Sequence, residues 1–234
     1  MSEFDETFDF VVVGSGGGSM AAALVARQAG KSVLILEKTP LIGGTTARSG
    51  GVMWIPNNRF MKRDGVADSR EQAIEYLDHA VGDHNDMPGA TRARRAAYVD
   101  NGTEMVDFLV GQGIKLDRVS YWPDYYDELP GGSEQGRTVV AELFNVKELG
   151  EWAKKLRPNF LSMQASLDDM LKLRYVTKSG AARKAAAKLV GRTIWAKFTG
   201  KHFVTAGAAL QGRMLQAALK AGVDIRNNSP VTSL

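Results

Sequence analysis

Three groups of residues near the start of the chain have types and spacing suited to holding a nucleotide. In Gly14-Ser15-Gly16-Gly17-Gly18-Ser19, Gly14 can make a tight turn and Gly16 can admit a pyrophosphate close to the backbone. Ser19 takes the third small position, where a small side chain lets a helix pack closely. A helix opening there points the positive end of its dipole at the phosphates. Glu37 follows about twenty residues later, where a carboxylate accepts hydrogen bonds from adenosine ribose hydroxyls and repels a 2′-phosphate. NAD and FAD fit these two features equally, and NADP is disfavoured. The third group, Gly43-Gly44-Thr45-Thr46-Ala47-Arg48-Ser49-Gly50-Gly51, separates them. Its two glycine pairs offer amides open to close approach, and the hydroxyls between them are short donors, suited to a pyrophosphate and the edge of a flavin ring. An NAD domain has no need of this second loop, so FAD is the expected cofactor.

A second concentration of chemically useful side chains is aromatic: Tyr121, Trp122, Tyr125 and Tyr126. They read either as a cluster pinning a proline-rich loop or as the wall of an apolar pocket. His79, His84 and His202 lack metal-ligand spacing, and no metal site is expected. The absence of cysteine excludes disulfides, thiolate metal sites and cysteine nucleophiles.

Elements that could position these groups are legible. Phe8 to Val13 is a short apolar run rich in β-branched residues that stops at the glycine turn, as a buried parallel strand does. Ser19 to Gly30 reads as a helix whose alanines let it lie close to a sheet, and Ser32 to Leu36 as a second buried strand ending at Glu37. Ser69 to Val81, Thr91 to Gln112 and the region 165–198 read as helical, and Tyr121 to Gly136 as a loop. Gly212 to Gly222 resembles a helix closed by glycine, and Val223 to Arg226 a strand. The fold class expected is α/β: a Rossmann-like FAD-binding domain with a mostly helical insertion. Residues 1–65 form its first βαβ segment, 66–200 the insertion lining the substrate side, and 201–234 an incomplete return to the FAD-binding domain.

With 44% hydrophobic and 24% charged residues in 234, the chain reads as an ordinary folded protein. Its acidic N-terminus does not resemble a signal peptide, and no apolar run reaches the roughly 20 residues of a spanning helix. A cytoplasmic location is expected, with association at a membrane surface left open. The net charge of +4 is uneven, for no Asp or Glu occurs between Asp169 and Asp224 while basic residues recur from Lys172 to Lys201. That run reads as a solvated helical face or as a contact for anionic lipid or an acidic partner. Nucleic acid is not an expected partner, because no recognised binding module accompanies the charge.

The chain resembles the fumarate reductase and succinate dehydrogenase flavoprotein superfamily, and within it the 3-ketosteroid Δ1-dehydrogenases. The residues that carry this are Gly44-Thr45-Thr46-Ala47-Arg48-Ser49-Gly50-Gly51 continuing to Asn58, then Asp124-Tyr125-Tyr126-Asp127-Glu128-Leu129-Pro130-Gly131-Gly132 with Gly136-Arg137. A third block is Ala206-Gly207-Ala208-Ala209-Leu210-Gln211-Gly212-Arg213 with Ala221-Gly222-Val223 and Pro230-Val231-Thr232. The resemblance implies a 1,2-desaturation, in which a 3-keto steroid or similar apolar ketone loses a proton from C2 and a hydride from C1 to the flavin, with an external electron acceptor completing the cycle. It assigns the cofactor to Gly14, Ser15, Gly16, Gly18, Ser19, Glu37 and Lys38, to Gly44, Thr45, Thr46, Ser49, Gly50 and Gly51, and to Val231.

By the same resemblance Tyr125 lines the substrate pocket and supports a catalytic tyrosine through a hydrogen bond, with Trp122 as its aromatic neighbour. FAD is expected to be noncovalent, because the loop that carries a flavin-linked histidine elsewhere in the superfamily has Thr45 and Thr46 here. Family members run to more than twice this length, and the tyrosine base and the C3-carbonyl donors are expected in the part not present. A second polypeptide carrying that half is one explanation. A flavin-binding subunit and a fumarate-reductase-like oxidoreductase are the alternative readings.

Overall fold

A computed structural model describes residues 5–82, 88–159 and 165–233. Strand β1 (Phe10–Val13) leads through helix α1 (Gly17–Gln28) to strand β2 (Val33–Leu36), and a 3₁₀ turn (Thr46–Arg48) precedes strand β3 (Met53–Trp54). Helices α2 (Arg59–Arg63), α3 (Arg70–Val81) and α4 (Arg92–Gly111) follow, then strands β4 (Leu116–Arg118), β5 (Thr138–Ala141) and β6 (Phe144–Asn145). A 3₁₀ segment (Val146–Lys155) is interrupted at Gly150, where φ is +58°. Helices α5 (Leu167–Leu173) and α6 (Gly180–Thr199), strand β7 (Phe203–Val204), helix α7 (Ala206–Lys220) and strand β8 (Asp224–Arg226) complete the order.

The β1-α1-β2 unit forms as the sequence predicts. β1, β2 and β8 make a parallel sheet in the order β1-β2-β8, with Val11 opposite Leu34 and Ile35 opposite Ile225. Strand β2 is flanked on both sides and buries Val33, Leu34 and Ile35. The expectation of a buried β1 is corrected: Val12 alone is buried, while Phe10, Val11 and Val13 are 42%, 49% and 56% exposed. Among the described residues β1 pairs only with β2, which leaves its other edge open.

Helix α7 begins at Ala206, six residues before the predicted start, and is buried along most of its length from Gly207 to Ala218. It packs on α1, where Met20, Leu24, Leu215 and Ala218 are fully enclosed. Burying side chains of this size contributes about 1.5–3 kcal/mol each, so this contact fixes α1 and the glycine turn ahead of it.

Residues 66–200 are mostly helical and also contribute β4 and β5 to a small antiparallel sheet in the order β3-β5-β4, whose third strand comes from the N-terminal side of the region. Ser69 and Thr91 cap α3 and α4 by accepting hydrogen bonds from the Gln72 and Arg94 amides, which satisfies donors that the first turn leaves open. Helix α4 buries Val99, Val106 and Leu109, and Gly102 admits the Ile55 side chain. The region predicted as one helical stretch is two helices, α5 and α6, packed on each other.

Candidate cofactor site

The first glycine turn sits at the exit of β1. Gly14 has φ +93°, a conformation open to glycine at little cost, and its amide donates to the Leu36 carbonyl at 2.7 Å. Gly16 is the N-cap of α1 and supplies no side-chain hydrogen bond, and no acidic residue lies in the first turn. The amides of that turn other than Gly17 N–H are therefore available to an anionic ligand, which the helix dipole also favours. Gly17 N–H is taken by Thr46 Oγ1 at 3.1 Å. Gly18 is exposed, with open space where a Cβ would stand.

Ser15 is the centre of this arrangement. Its hydroxyl donates to Glu37 Oε2 at 2.6 Å and accepts from Gly43 N at 2.9 Å, tying both glycine loops to the end of β2. Ser15 N also donates to Oε2 at 3.1 Å, and Thr39 donates to Oε1 through N and Oγ1, each at 2.9 Å. Burial alone would push the Glu37 carboxyl up, but the bonds from Ser15 and Thr39 outweigh it and hold the group below the usual glutamate range. All four ordinary acceptor positions of the carboxylate are thus engaged, and a ribose would share or replace the two rotatable hydroxyls. Neither Ser15 nor Glu37 had shown this internal role in the sequence.

The second loop packs directly on the first. Gly44 lies at φ +54°, and a Cβ there would stand 3.2 Å from the Gly16 Cα. Gly51 (φ +64°) meets the start of α7, where a Cβ would come within 2.6 Å of the Ala206 and Gly207 backbone. Ser49 links the loop internally, its hydroxyl donating to the Thr46 carbonyl and accepting from Gly51 N. Two partners of this loop escaped sequence reading. Gly207 donates to the Ser49 carbonyl at 3.0 Å, and Ala206 adopts φ +53°, a strained choice for a residue with a Cβ. Gln211 is fully buried behind Gly17 and Gly43, and its Oε1 has no partner.

Together the open α1 amides and the glycine-lined contact of the two loops fit a dinucleotide pyrophosphate. Lys38, Thr45 and Gly50 are exposed beside them. Val231 is half-buried. The chain leading to it runs alongside β2, with Asn228 and Ser229 amides donating to the Thr39 and Glu37 carbonyls.

The aromatic loop joins this site through β3. Trp54, three residues beyond Gly51, donates from Nε1 to Asp124 Oδ1 at 2.6 Å. Arg137 is completely buried between Asp124 (3.0 Å) and Asp68 (2.7 Å) and lies over the Trp54 ring at 5.5 Å. Burial pushes the Asp124 carboxyl up, against the opposing pull of Trp54 N–H and Arg137. This network fixes the backbone next to Tyr125, whose own side chain is 82% exposed. Tyr125 and half-buried Trp122 line a cleft of about 330 Å³ with Tyr121, Leu171 and Arg174. The loop is pinned by Asp124 rather than by its tyrosines, and Tyr121, Tyr125 and Tyr126 are left exposed.

His79 Nδ1 lies 2.9 Å from the Glu75 carbonyl one turn earlier, and His202 is exposed beside β7. His84 lies outside the described residues. No group of three metal-binding side chains occurs among the described residues, and no helix there is long and apolar enough to cross a membrane.

The chain belongs to the FAD binding domain family, which matches residues 9–234; its cofactor is FAD. Within that family it is 39% identical, over 98% of its length, to a 3-oxosteroid 1-dehydrogenase of Mycobacterium tuberculosis, and spans 41% of that protein. Its fold superposes on the crystal structure of 3-ketosteroid Δ1-dehydrogenase from Sterolibacterium denitrificans in complex with 1,4-androstadiene-3,17-dione. The TM-score is 0.83 and the identity 30%, over 97% of this chain and 41% of that one. A flavocytochrome c3 fumarate reductase shares the fold, with TM-score 0.57 and 20% identity over 99% of this chain and 28% of its own. The chain therefore spans about two fifths of the length of the steroid dehydrogenases it matches.

Proposed function

We propose that this chain is the FAD-binding portion of a flavoprotein that desaturates a 3-keto steroid, or a similar apolar ketone, next to its carbonyl. The observation that carries the proposal is the path from the second glycine loop through Trp54 to Asp124 and Tyr125. It links the flavin cradle to an exposed aromatic wall in a chain 39% identical to a 3-oxosteroid 1-dehydrogenase. Bound FAD supplies a hydride acceptor at the flavin ring. The chain's own part is to hold the pyrophosphate on the α1 amides, take the ribose at Glu37 and present Tyr125 and Trp122 to the apolar substrate. Resemblance assigns the proton-abstracting tyrosine and the carbonyl donors to the part of the relatives that this chain does not span, with Tyr125 supporting that tyrosine. FAD is held without a covalent link, and an external acceptor reoxidises it. The setting proposed is cytoplasmic, with peripheral contact at a membrane.

A flavin-binding subunit that acts with a second polypeptide is the other reading, favoured by the open edge of β1 and its exposed Phe10, Val11 and Val13. The test is dye reduction by the FAD-loaded chain with androstenedione, alone and with a polypeptide matching the remaining length of the relatives. Turnover only in the mixture supports the subunit reading. A flavin spectrum perturbed by fumarate and not by the steroid contradicts the steroid proposal.

A further inference from the structure

We propose that Arg157, which comes from the segment expected to line the substrate side, belongs to the cofactor site instead, as a positioning residue that acts through Thr39 on the ribose-binding carboxylate of Glu37. Its place is fixed by the backbone. Arg157 N–H donates to the Ile42 carbonyl at 2.8 Å and Ile42 N–H to the Lys155 carbonyl at 2.7 Å, a parallel bridge that ties this segment to the stretch between Glu37 and the second glycine loop. The same stretch is braced from the end of β8, where Asn227 Nδ2 donates to the Pro40 carbonyl at 3.0 Å and Lys155 Nζ donates to Asn227 Oδ1 at 3.2 Å.

The guanidinium is sparsely bonded. Nη2 donates to Thr39 Oγ1 at 2.9 Å, no carboxylate lies within ion-pair distance among the described residues, and Nε is buried without a partner. A buried donor left open costs stability, so a cation kept in this state points to a role in the site rather than in the core. Thr39 shows what that role is. Its hydroxyl carries one proton and has two acceptors in reach, Glu37 Oε1 at 2.9 Å and the Leu41 carbonyl at 2.8 Å. The Ser15 hydroxyl, on the other carboxylate oxygen, has only Glu37 as an acceptor among the described residues. A ribose hydroxyl arriving at this fully bonded carboxylate therefore takes Oε1, and Thr39 turns its proton to Leu41. Arg157 donates to Oγ1 and accepts nothing from it, so it holds the hydroxyl in place through the exchange and leaves its proton free to move.

The test is titration of the flavin-free chain with FAD and with its 2′-deoxyadenosine analogue, which lacks a hydroxyl that the acid accepts. The wild-type chain should bind FAD about tenfold or more tightly than the analogue, as expected of one hydrogen bond to a charged group. Arg157→Met, which keeps the apolar stem, should lower FAD affinity by about three- to tenfold and leave that of the analogue nearly unchanged. Arg157→Lys, which keeps a donor, should restore most of the preference. In a Thr39→Val background Arg157→Met should have no further effect. Melting followed by circular dichroism checks that each variant is folded, and Arg157→Gln takes the place of Arg157→Met if methionine is not tolerated at this half-buried position. Equal losses for both ligands would overturn the proposal and reduce Arg157 to a structural brace. An undiminished loss in the Thr39→Val background would also overturn it, because Arg157 would then act on the cofactor without Thr39. The proposal rests on Glu37 as the ribose acid, and the two fail differently: a wild-type chain that binds both ligands equally removes the assignment of Glu37 and that of Arg157 with it, whereas a discriminating wild type with equal losses in Arg157→Met removes Arg157 alone.

Discussion

Replacing Ser15 by alanine tests how the two glycine loops are held together. The Ser15 side chain is 1% exposed and makes two hydrogen bonds, to Glu37 Oε2 at 2.6 Å and from Gly43 N at 2.9 Å. Alanine keeps the backbone bond from Ser15 N to Glu37 but strands a buried amide and takes a donor from a buried carboxylate. Each loss costs about 1–3 kcal/mol, so the variant should be destabilised by roughly 2–6 kcal/mol. For a chain of this size that lowers the melting temperature by roughly 5–25 °C. Because the broken bonds join the loops that form the cradle, FAD affinity should fall as well, by about tenfold for each 1.4 kcal/mol lost. Thermal unfolding by circular dichroism, with and without FAD, and a titration of FAD fluorescence measure the two effects. Unchanged melting and unchanged affinity together would refute the assignment of Ser15 as the link between the loops.

Arg137→Leu leaves Asp68 and Asp124, each with 1% side-chain exposure, as unpaired buried charges; urea unfolding should show a loss of about 3–5 kcal/mol. Adding Asp68→Asn and Asp124→Asn to it should recover part of that loss. The depressed Glu37 carboxyl contributes stability that is fully present above its unfolded value of about 4.3 and is lost as pH falls through its lower folded value. Glu37→Gln should therefore flatten the fall of melting temperature in acid, and a parallel acid profile would count against the bonding described. Gly18→Ala, with open space at its Cβ, should alter stability by less than about 1 kcal/mol. Gly207→Ala places a Cβ 1.8 Å from the Thr46 carbonyl and should abolish FAD retention on gel filtration.

The parts of this fold that were legible in the sequence are those with local causes. The glycine turn, α1, β2 and Glu37 follow one another within a single βαβ unit, so periodicity and glycine placement reveal them. The strands missed, β3 to β7, are two to four residues long and owe their conformation to pairing with one another. Exposure of β1 was illegible because its apolar composition is that of a central strand, whereas among the described residues it has one neighbour. Likewise Gly207, Gln211 and the Asp68–Arg137–Asp124 network join positions far apart in sequence. Only the quoted family blocks marked some of them, and those blocks gave no roles. The basic run was visible from composition, but the face of α6 that meets α5, with Ala182, Ala185 and Ala196 buried, was not.

The central claim, that the two glycine loops form one noncovalent FAD site, is tested most directly by titrating the purified, flavin-free chain with FAD, FMN and NAD and then denaturing the FAD complex. The account predicts saturable FAD binding with a perturbed flavin spectrum, much weaker binding of FMN and NAD, and release of all the flavin into the supernatant with acid. Absence of FAD binding, equal affinity for FMN or NAD, or flavin remaining with the precipitated protein would contradict it.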